Sequence, residues 1–320
     1  MELDKIYKSV QEDLVKVKNE LGSISKVDFP WLAEQLRYVV KGSGKGIRPA
    51  LTLLAGGFYD YNFKYLLPMA VAVELMHTAT LVHDDAIDRS IVRRGKPTIN
   101  KIWGGEIAIL MGDYLFAKAG EYVADTQNPH VIKLFSQTLA TIASGEINQF
   151  LGAFNLGQTR DDYFHRISGK TASLFSLATE SGAILSEAPR KPVKILKEYG
   201  HNLGIAFQIA DDILDFVGSE ETLGKPVGSD LAQGTLTLPA MLLLEHYPED
   251  NPVKRLFEND DKKHIEQAID MVRNSSIIEE CYQVASEYCS LACRDLNLLP
   301  DNASRQALTD LANYVIDRKE

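Results

Sequence analysis

The chain has 320 residues, of which 45% are hydrophobic and 24% are charged. This composition is typical of a globular protein with a large core and excludes intrinsic disorder. The 44 acidic residues outnumber the 34 basic residues, which gives a formal net charge of -10. Nucleic acid is therefore not expected as a partner, because binding it requires a clustered basic excess.

The sequence indicates a cytoplasmic protein. No stretch of about 18 uninterrupted apolar residues marks a transmembrane helix, and the charged first residues lack the apolar segment of a signal peptide. Cys281, Cys289 and Cys293 contain no CxxC pair. Neither a zinc site nor a disulfide framework is therefore predicted.

Apolar residues recur at helical spacing along almost the whole chain, whereas alternating β-branched runs are scarce. The pattern predicts an all-α bundle of about 10–13 helices. No linker, repeat or charge block divides the chain, so residues 1–320 are predicted to form a single domain. The predicted helices span residues 3–21, 29–40, 47–58, 65–89, 104–124, 130–155, 161–186, 193–217, 235–246, 262–272, 276–296 and 302–318.

Two predicted helices are apolar on every face, at residues 66–82 and 193–213. Such helices belong at the centre of a bundle. Each ends in the acidic pattern DDxxD. The aspartates are Asp84, Asp85 and Asp88 in the first pattern and Asp211, Asp212 and Asp215 in the second.

These acidic patterns predict paired metal sites. In a helix the first and last aspartates of DDxxD lie one turn apart on one face. The C-terminal end of a helix already carries partial negative charge, so carboxylates gathered there are unfavourable without a cation. A small number of oxygen ligands suits Mg²⁺, which completes its shell with water and substrate phosphates. The alternative is that both patterns are only solvated helix ends.

Basic residues accompany both acidic patterns, as binding of phosphate groups requires. Arg93 and Arg94 follow the first pattern, and Lys225 follows the second. Lys45 and Arg48 surround glycines just before a predicted helix start, which is a favourable place for an anion. Taken singly, each is an ordinary surface charge; their joint placement indicates a substrate that carries phosphates.

A different class of protein is the competing hypothesis. Glu74 with His77, and Glu198 with His201, form two ExxH pairs on apolar helices. Two such pairs are part of the signature of di-iron carboxylate bundles. That hypothesis leaves both DDxxD patterns and the basic residues unexplained.

Seven segments carry a family resemblance: GKGIRP, ELMHTATLVHDDAIDRSIVRRGKPT, GDYLFAKA, GEINQ, GKTASLF, FQIADDILDF and GKPVGSDLAQGTLTLP. Together they resemble the trans-isoprenyl diphosphate synthases, also called polyprenyl synthetases, from about residue 36 to residue 318. Class I terpene cyclases share the first DDxxD and the all-α fold, but typically have an NSE or DTE pattern in place of the second. The sequence DDILD therefore favours chain elongation. The resemblance also implies helices around a central cavity, and a homodimer.

The resemblance implies a prenyltransferase that condenses isopentenyl diphosphate with an allylic diphosphate. In that family about three Mg²⁺, here held foremost by Asp84, Asp88 and Asp211, grip the allylic diphosphate and drive its ionisation. The resulting cation alkylates isopentenyl diphosphate, and loss of a proton gives an all-trans product one isoprene unit longer.

Roles for the remaining site residues are also implied by the resemblance. Asp85, Asp212 and Asp215 complete the metal-binding patterns. The allylic diphosphate is assigned to Arg93, Lys170 and Lys225, isopentenyl diphosphate to Lys45, Arg48, His77 and Arg94, and the polar surroundings of the cation to Thr171 and Gln208.

Several positions bear on product length. Gln149 stands where short-chain relatives often have Asp, and Thr235 stands where many of them have Lys. Ala79 and Thr80, just before the first pattern, are small where bulky aromatic residues stop elongation early in the family. A long-chain product is therefore expected, as in heptaprenyl, octaprenyl and solanesyl diphosphate synthases. A further departure is Gly46, at a position that is usually basic.

Three alternatives stay open at this point. The product is of farnesyl or geranylgeranyl length if Ala79 and Thr80 are small only to let helices approach. The chain is the catalytic subunit of a heteromeric synthase, or it is a silent regulatory partner; silent partners usually lack one or both aspartate patterns, and both are intact here. A long apolar product also implies transient association with membranes.

Overall fold

The computed structural model describes residues 2–41, 44–219, 226–259 and 263–317. Within these ranges helices dominate, and the strands form one short hairpin, β1 (Val92–Arg93) with β2 (Lys96–Pro97). The prediction of an all-α fold is confirmed.

The helices of the first half are α1 (Leu3–Ile6), α2 (Gln11–Ser23), α3 (Pro30–Val40), α4 (Ile47–Gly56), α5 (Phe63–Ile87), α6 (Ile99–Trp103), α7 (Gly105–Asp125) and α8 (Pro129–Leu151). Those of the second half are α9 (Arg160–Ile167), α10 (Ser173–Leu185), α11 (Arg190–Val217), α12 (Ser229–Ala232), α13 (Leu238–His246), α14 (Pro252–Asn259), α15 (Lys263–Arg273), α16 (Ile277–Cys293) and α17 (Ala303–Asp317). Short 3₁₀ turns cover Tyr7–Ser9 and Leu296–Leu298, and a π-helical turn covers Ser168–Ala172.

Helix α5 lies in the core. Asn62 caps it by accepting a hydrogen bond from the backbone N–H of Lys64 at 3.2 Å. From Pro68 to Met76 every residue is buried, and the helix packs against α2, α4, α7 and α10. By length and composition α5 is the one helix in the described ranges that could cross a membrane, but 67% of its apolar stretch is buried inside the fold. It is therefore a core helix.

Helix α11 packs between α10 and α16. Its prediction as apolar on every face was wrong for the first three turns, where Lys194 and Lys197 are exposed. From Tyr199 to Phe216 most of its residues are buried. A lysine can lay its apolar stem along the edge of the core while its charged end stays in water, so the first turns of α11 can be exposed on one face. The later turns of α11, which carry the aspartates, are enclosed.

The predicted helix 161–186 is three elements, because a π-helical turn at Ser168–Ala172 separates α9 from α10. The hairpin was not predicted either. Its two-residue turn consists of Arg94 and Gly95, with φ angles of 51° and 71°, and arginine gives no turn signal comparable to Asn-Gly. Arg94 is thereby placed at the tip of the turn.

Helices α4 and α10 approach each other closely at a glycine. A Cβ atom at Gly182 would lie 2.2 Å from the backbone oxygen of Thr52. Backbone cannot yield as a flexible side chain does, so the contact fixes the distance between the two helices.

We expect Gly182→Ala to destabilise the protein by about 1–3 kcal/mol, because the added methyl overpacks the interface between α4 and α10. Urea unfolding measures the effect. The matched control is Gly22→Ala in α2, where nothing lies within 4 Å of the added atom; it should leave stability unchanged or raise it slightly. Equal midpoints for wild type and Gly182→Ala would contradict this account.

Candidate active site

Both acidic patterns end core helices, as the sequence predicts. Asp84 and Asp85 lie in the last turn of α5, and Asp88 follows the helix, with its N–H bonded to the oxygen of Asp84 at 2.8 Å. The second pattern lies in the last two turns of α11. Asp230 links the two, since its charge helps to raise the pKa of Asp88 and also that of Asp212. The two helix ends therefore share one site.

A half-buried lysine neutralises part of the first pattern. The Nζ atom of Lys170 lies 3.7 Å from Oδ2 of Asp84 and 2.8 Å from Oε1 of Glu146. Burial lowers the pKa of Lys170, but Asp84 and Glu146 outweigh it and hold that pKa above its ordinary value. Lys170 therefore stays charged at the negative end of α5. Sequence reasoning assigned no role to Glu146, although it lies in the GEINQ segment.

The middle aspartate of the first pattern has a basic partner. Asp85 is 5% exposed, and its Oδ1 accepts a hydrogen bond from Nε of Arg93 at 2.8 Å. Burial raises the pKa of Asp85 and the Arg93 guanidinium opposes that rise. Arg93 is thus held at the acidic site from the hairpin side.

In the second pattern, two of the three aspartates predicted to bind metal accept hydrogen bonds from the protein. Asp212 is 2% exposed, and both its oxygens accept hydrogen bonds, from the hydroxyl of Tyr163 at 2.7 Å and from Nε2 of Gln208 at 2.8 Å. Burial, followed by the charge of Asp230, raises the pKa of Asp212 to about 7. A carboxylate that two side chains already engage is poorly placed to ligate an ion.

Asp215 is also engaged by the protein. Its Oδ1 accepts from the hydroxyl of Ser229 at 2.9 Å, and its Oδ2 accepts from the N–H of Asp230 at 3.1 Å. These bonds fix the start of α12 next to the end of α11. Sequence spacing alone missed this role, because the partners come from a segment that was predicted to be a loop.

The accessible carboxylates that remain are those of Asp84, Asp88 and Asp211, which are half-buried or exposed. Their oxygens are the hard donors that Mg²⁺ prefers. Across the described ranges, no three His, Cys, Asp or Glu side chains stand close enough together to hold an ion.

A second, basic pocket lies beside the first pattern. The guanidinium of Arg94 packs against Gly44, where a Cβ atom would lie 2.8 Å from Nη2. The pKa of Arg48 is lowered to about 10, first by burial and also by Arg94. Burial and the charges of Arg48 and Arg94 lower the pKa of His77 well below its ordinary value. Glu74, 4% exposed, faces the same two arginines.

These contacts bring together three residues predicted to bind one diphosphate: Arg48, His77 and Arg94. Among the described residues, Nε of Arg48 is buried without a hydrogen-bond partner. Buried donors that lack a partner are costly, and an anion would satisfy them. Glu74 was predicted only as part of an ExxH pair; its place between the arginines was not foreseen.

Lys45 and Lys225 complete the predicted basic set. Nζ of Lys45 donates to the hydroxyl of Tyr314 in α17 at 3.1 Å, so the C-terminal helix holds it. Lys225 lies outside the described residues. The unusual Gly46 has φ of 65° and precedes α4, which is a conformation that favours glycine over a basic residue.

Two polar groups predicted near a cation are in contact. The hydroxyl of Thr171 donates to Oε1 of Gln208 at 2.6 Å. Thr171 and Lys170 both lie in the π-helical turn, a feature that often occurs at functional sites. A cleft of about 620 Å³ opens beside this turn, between α8 and α9, and Gln149 is part of its wall.

The di-iron hypothesis is not supported by the positions of its ligands. His201 hydrogen-bonds to Ser168 at 2.8 Å, and Glu198 lies 3.7 Å from exposed Lys194. Glu74 faces two arginines instead of a second carboxylate. The two ExxH pairs therefore serve separate parts of the fold.

Comparison with known proteins identifies the class. Residues 29–272 match the polyprenyl synthetase family. The chain is 37% identical to heptaprenyl diphosphate synthase component 2 of Bacillus subtilis (strain 168), over all of this chain and 92% of that protein. Heptaprenyl diphosphate synthase from Staphylococcus aureus has a similar structure, with a TM-score of 0.93, 37% identity, and coverage of 97% of this chain and 99% of that one.

A polyprenyl synthase from Caulobacter crescentus, solved with calcium and isoprenyl diphosphate, gives a TM-score of 0.94 and 32% identity, over 100% of this chain and 98% of that one. Fold and relatives together define an all-α prenyltransferase. The chain belongs to the polyprenyl synthetase family.

We expect the imidazole of His77 to be neutral at about pH 6, because burial and the neighbouring guanidiniums disfavour its charged form. Long-range ¹H–¹⁵N correlation spectra recorded between about pH 8 and pH 6 report the protonation state. The spectrum of His77→Gln assigns the signals. A His77 imidazolium at pH 6 would contradict the expectation.

Proposed function

We propose that the chain condenses isopentenyl diphosphate with an allylic diphosphate, and repeats this step to make a long-chain, all-trans polyprenyl diphosphate. The observation that carries the proposal is the pairing of two different diphosphate sites. One is acidic, at the ends of α5 and α11, and the other is basic, around Arg48 and Arg94. The comparison with heptaprenyl diphosphate synthases supports the activity.

The acidic site fits a diphosphate that is bound through metal. Mg²⁺ held by Asp84, Asp88 and Asp211 would supply Lewis-acid stabilisation of the departing diphosphate. The Caulobacter crescentus relative was solved with calcium and isoprenyl diphosphate, which supports a site that takes a divalent cation and a diphosphate. Lys170 lies against Asp84, and Arg93 lies against Asp85. Both are placed to bind diphosphate oxygens directly as negative charge develops on them.

The allylic end of that substrate meets neutral polar groups. Thr171 and Gln208 present oxygen dipoles but no basic nitrogen. Oxygen dipoles stabilise a developing cation, whereas an amine would trap it. This part of the site therefore suits ionisation of an allylic carbon–oxygen bond.

The basic pocket fits isopentenyl diphosphate, which reacts through its double bond and keeps its diphosphate. Arg48 and Arg94 supply planar groups that bind phosphate oxygens in pairs. A neutral His77 donates a hydrogen bond, and Lys45 adds a charge from the direction of α17. Lys225, outside the described residues, keeps its proposed role at the allylic diphosphate.

The residues one turn before Asp84 support a long product. Ala79 is fully buried, and Thr80 is half-buried with its hydroxyl bonded to the oxygen of His77 at 2.7 Å. Neither side chain is bulky, which fits a hydrocarbon tail that extends along α5 below the metal site. Each CH₂ of tail gains about 0.8 kcal/mol only where apolar space receives it.

The active form is proposed to be a homodimer. Leu110 in α7 and Ile147, Phe150 and Leu151 in α8 are 60–76% exposed, and exposed apolar residues of this kind mark interaction surfaces. The name component 2 in the Bacillus subtilis relative supports a second subunit as the alternative.

A cytoplasmic location is part of the same proposal, supported by the burial of α5 inside the fold.

Asp84→Ala and Asp211→Ala should each lower kcat by about a hundredfold or more with the fold intact, because the lost stabilisation belongs to the transition state. Turnover is measured with isopentenyl and farnesyl diphosphates in Mg²⁺, and circular dichroism checks folding. Asp125→Ala, an exposed aspartate at the end of α7, is the matched control. Wild-type turnover in either variant, or in EDTA, would sink the metal assignment.

Thr80→Phe and Ala79→Phe should shorten the product to geranylgeranyl length or less, because the ring fills the space that the tail needs. Chromatography of the dephosphorylated products gives their length, and circular dichroism confirms that buried Ala79 accepts the ring. Ala117→Phe on the exposed face of α7 is the control.

The wild-type product from the purified chain alone also tests the subunit requirement. A long product without any second protein supports the homodimer. A wild-type product no longer than geranylgeraniol, or unchanged products in both Phe variants, counts against a long passage along α5.

A further inference from the structure

A buried chain of side-chain hydrogen bonds runs from α9 into the acidic site. Tyr163 is completely buried, and its hydroxyl donates to Oδ2 of Asp212 at 2.7 Å. Oδ1 of Asp212 accepts from Nε2 of Gln208 at 2.8 Å. Oε1 of Gln208 accepts from Thr171 at 2.6 Å. Sequence reasoning assigned no role to Tyr163.

The donors and acceptors along this chain follow one direction. The Tyr163 hydroxyl donates to Oδ2 of Asp212, and Oδ1 accepts from the NH₂ end of the Gln208 amide. The oxygen of that amide then faces Thr171. Because the Thr171 hydroxyl gives its only hydrogen to Gln208, its lone pairs are left for other neighbours. The whole chain therefore determines which end of each dipole the site presents.

Tyr163 is itself held firmly. The guanidinium of Arg166 lies over its ring at 5.5 Å, and Arg166 is anchored by bonds to Gln158 and to the oxygen of Leu236. The ring also packs edge-on against Phe164 at 5.2 Å. A donor fixed in this way holds Asp212 in one orientation, since rotation of the carboxylate would break the bond.

We propose that Tyr163 is a positioning residue for prenyl transfer. Through Asp212 it fixes the Gln208 amide, so that the oxygens of Gln208 and Thr171 present the negative ends of their dipoles to the developing allylic cation. Asp212 acts in this chain as an acceptor and not as a metal ligand. The inference rests on the proposed function, and it assigns to α9 a part in ionisation.

Tyr163→Phe tests the inference, because it removes one hydroxyl and keeps the ring. We expect kcat to fall about tenfold, with KM for both diphosphates and the dependence on Mg²⁺ unchanged. The matched control is Tyr199→Phe. Tyr199 is equally buried and its hydroxyl donates to the oxygen of Leu308 at 2.7 Å, so this variant should lose similar thermal stability and keep wild-type kcat.

A double-mutant cycle separates positioning from a purely structural role. Tyr163 reaches Gln208 through Asp212, by hydrogen bonds of 2.7 Å and 2.8 Å. If Tyr163 acts through that chain, adding Tyr163→Phe to Gln208→Leu should lower kcat by less than twofold further, because the amide that Tyr163 positions is already absent. If Tyr163→Phe does not fold, Asp212→Asn replaces it in the cycle, because it removes one of the two acceptors: the new NH₂ group must face either the Tyr163 hydroxyl or the NH₂ group of Gln208.

Additive losses in the cycle, or a wild-type kcat for Tyr163→Phe, would overturn the inference. So would an equal loss of kcat in Tyr199→Phe. Failure of the proposed function is distinguishable, because the wild-type chain would then make no prenyl product from the two diphosphates.

Discussion

Concentrated negative charge at two helix ends is the constraint on which the rest of this site depends. Carboxylates at the C-terminal ends of α5 and α11 add to the negative pole of each helix. The fold meets this cost in two ways. At α5 the partners are cations, Lys170 and Arg93. At α11 they are neutral donors, Tyr163, Gln208 and Ser229.

The two solutions have different consequences for function. A lysine or arginine that neutralises a carboxylate is a mobile charge, and it can transfer its contacts to a diphosphate when cations bind the aspartates. Neutral donors inside the core cannot move in this way, because each would leave a buried partner unsatisfied. The end of α5 is therefore suited to exchange partners, and the end of α11 is suited to stay fixed and to hold the groups that we propose to face the allylic carbon.

The sequence alone predicts the features that depend on spacing between nearby residues. The helical period predicts α5 and α11, and DDxxD on a helix places its first and last aspartates on one face. It could not locate contacts between distant segments. Glu146 reaches Lys170 across 24 positions, and Tyr163 reaches Asp212 across 49. Nor does periodicity reveal a π-helical turn, which is one extra residue in an otherwise regular helix. The family resemblance indicated which residues belong to the site, and the structure shows which of their side chains contact one another.

In the proposed reaction, charge also decides which diphosphate each site accepts. In the basic pocket, Arg48 and Arg94 face Glu74 and a neutral His77, so even an ionised Glu74 leaves a net positive charge. With its pKa near 10, Arg48 stays charged at neutral pH. A diphosphate can bind there without metal. The acidic site repels the same group until cations are present. A substrate whose diphosphate must leave belongs at the metal, where leaving is assisted, and a substrate whose diphosphate must stay belongs with the arginines. The arrangement of charge therefore orders the two substrates before any contact with their hydrocarbon parts.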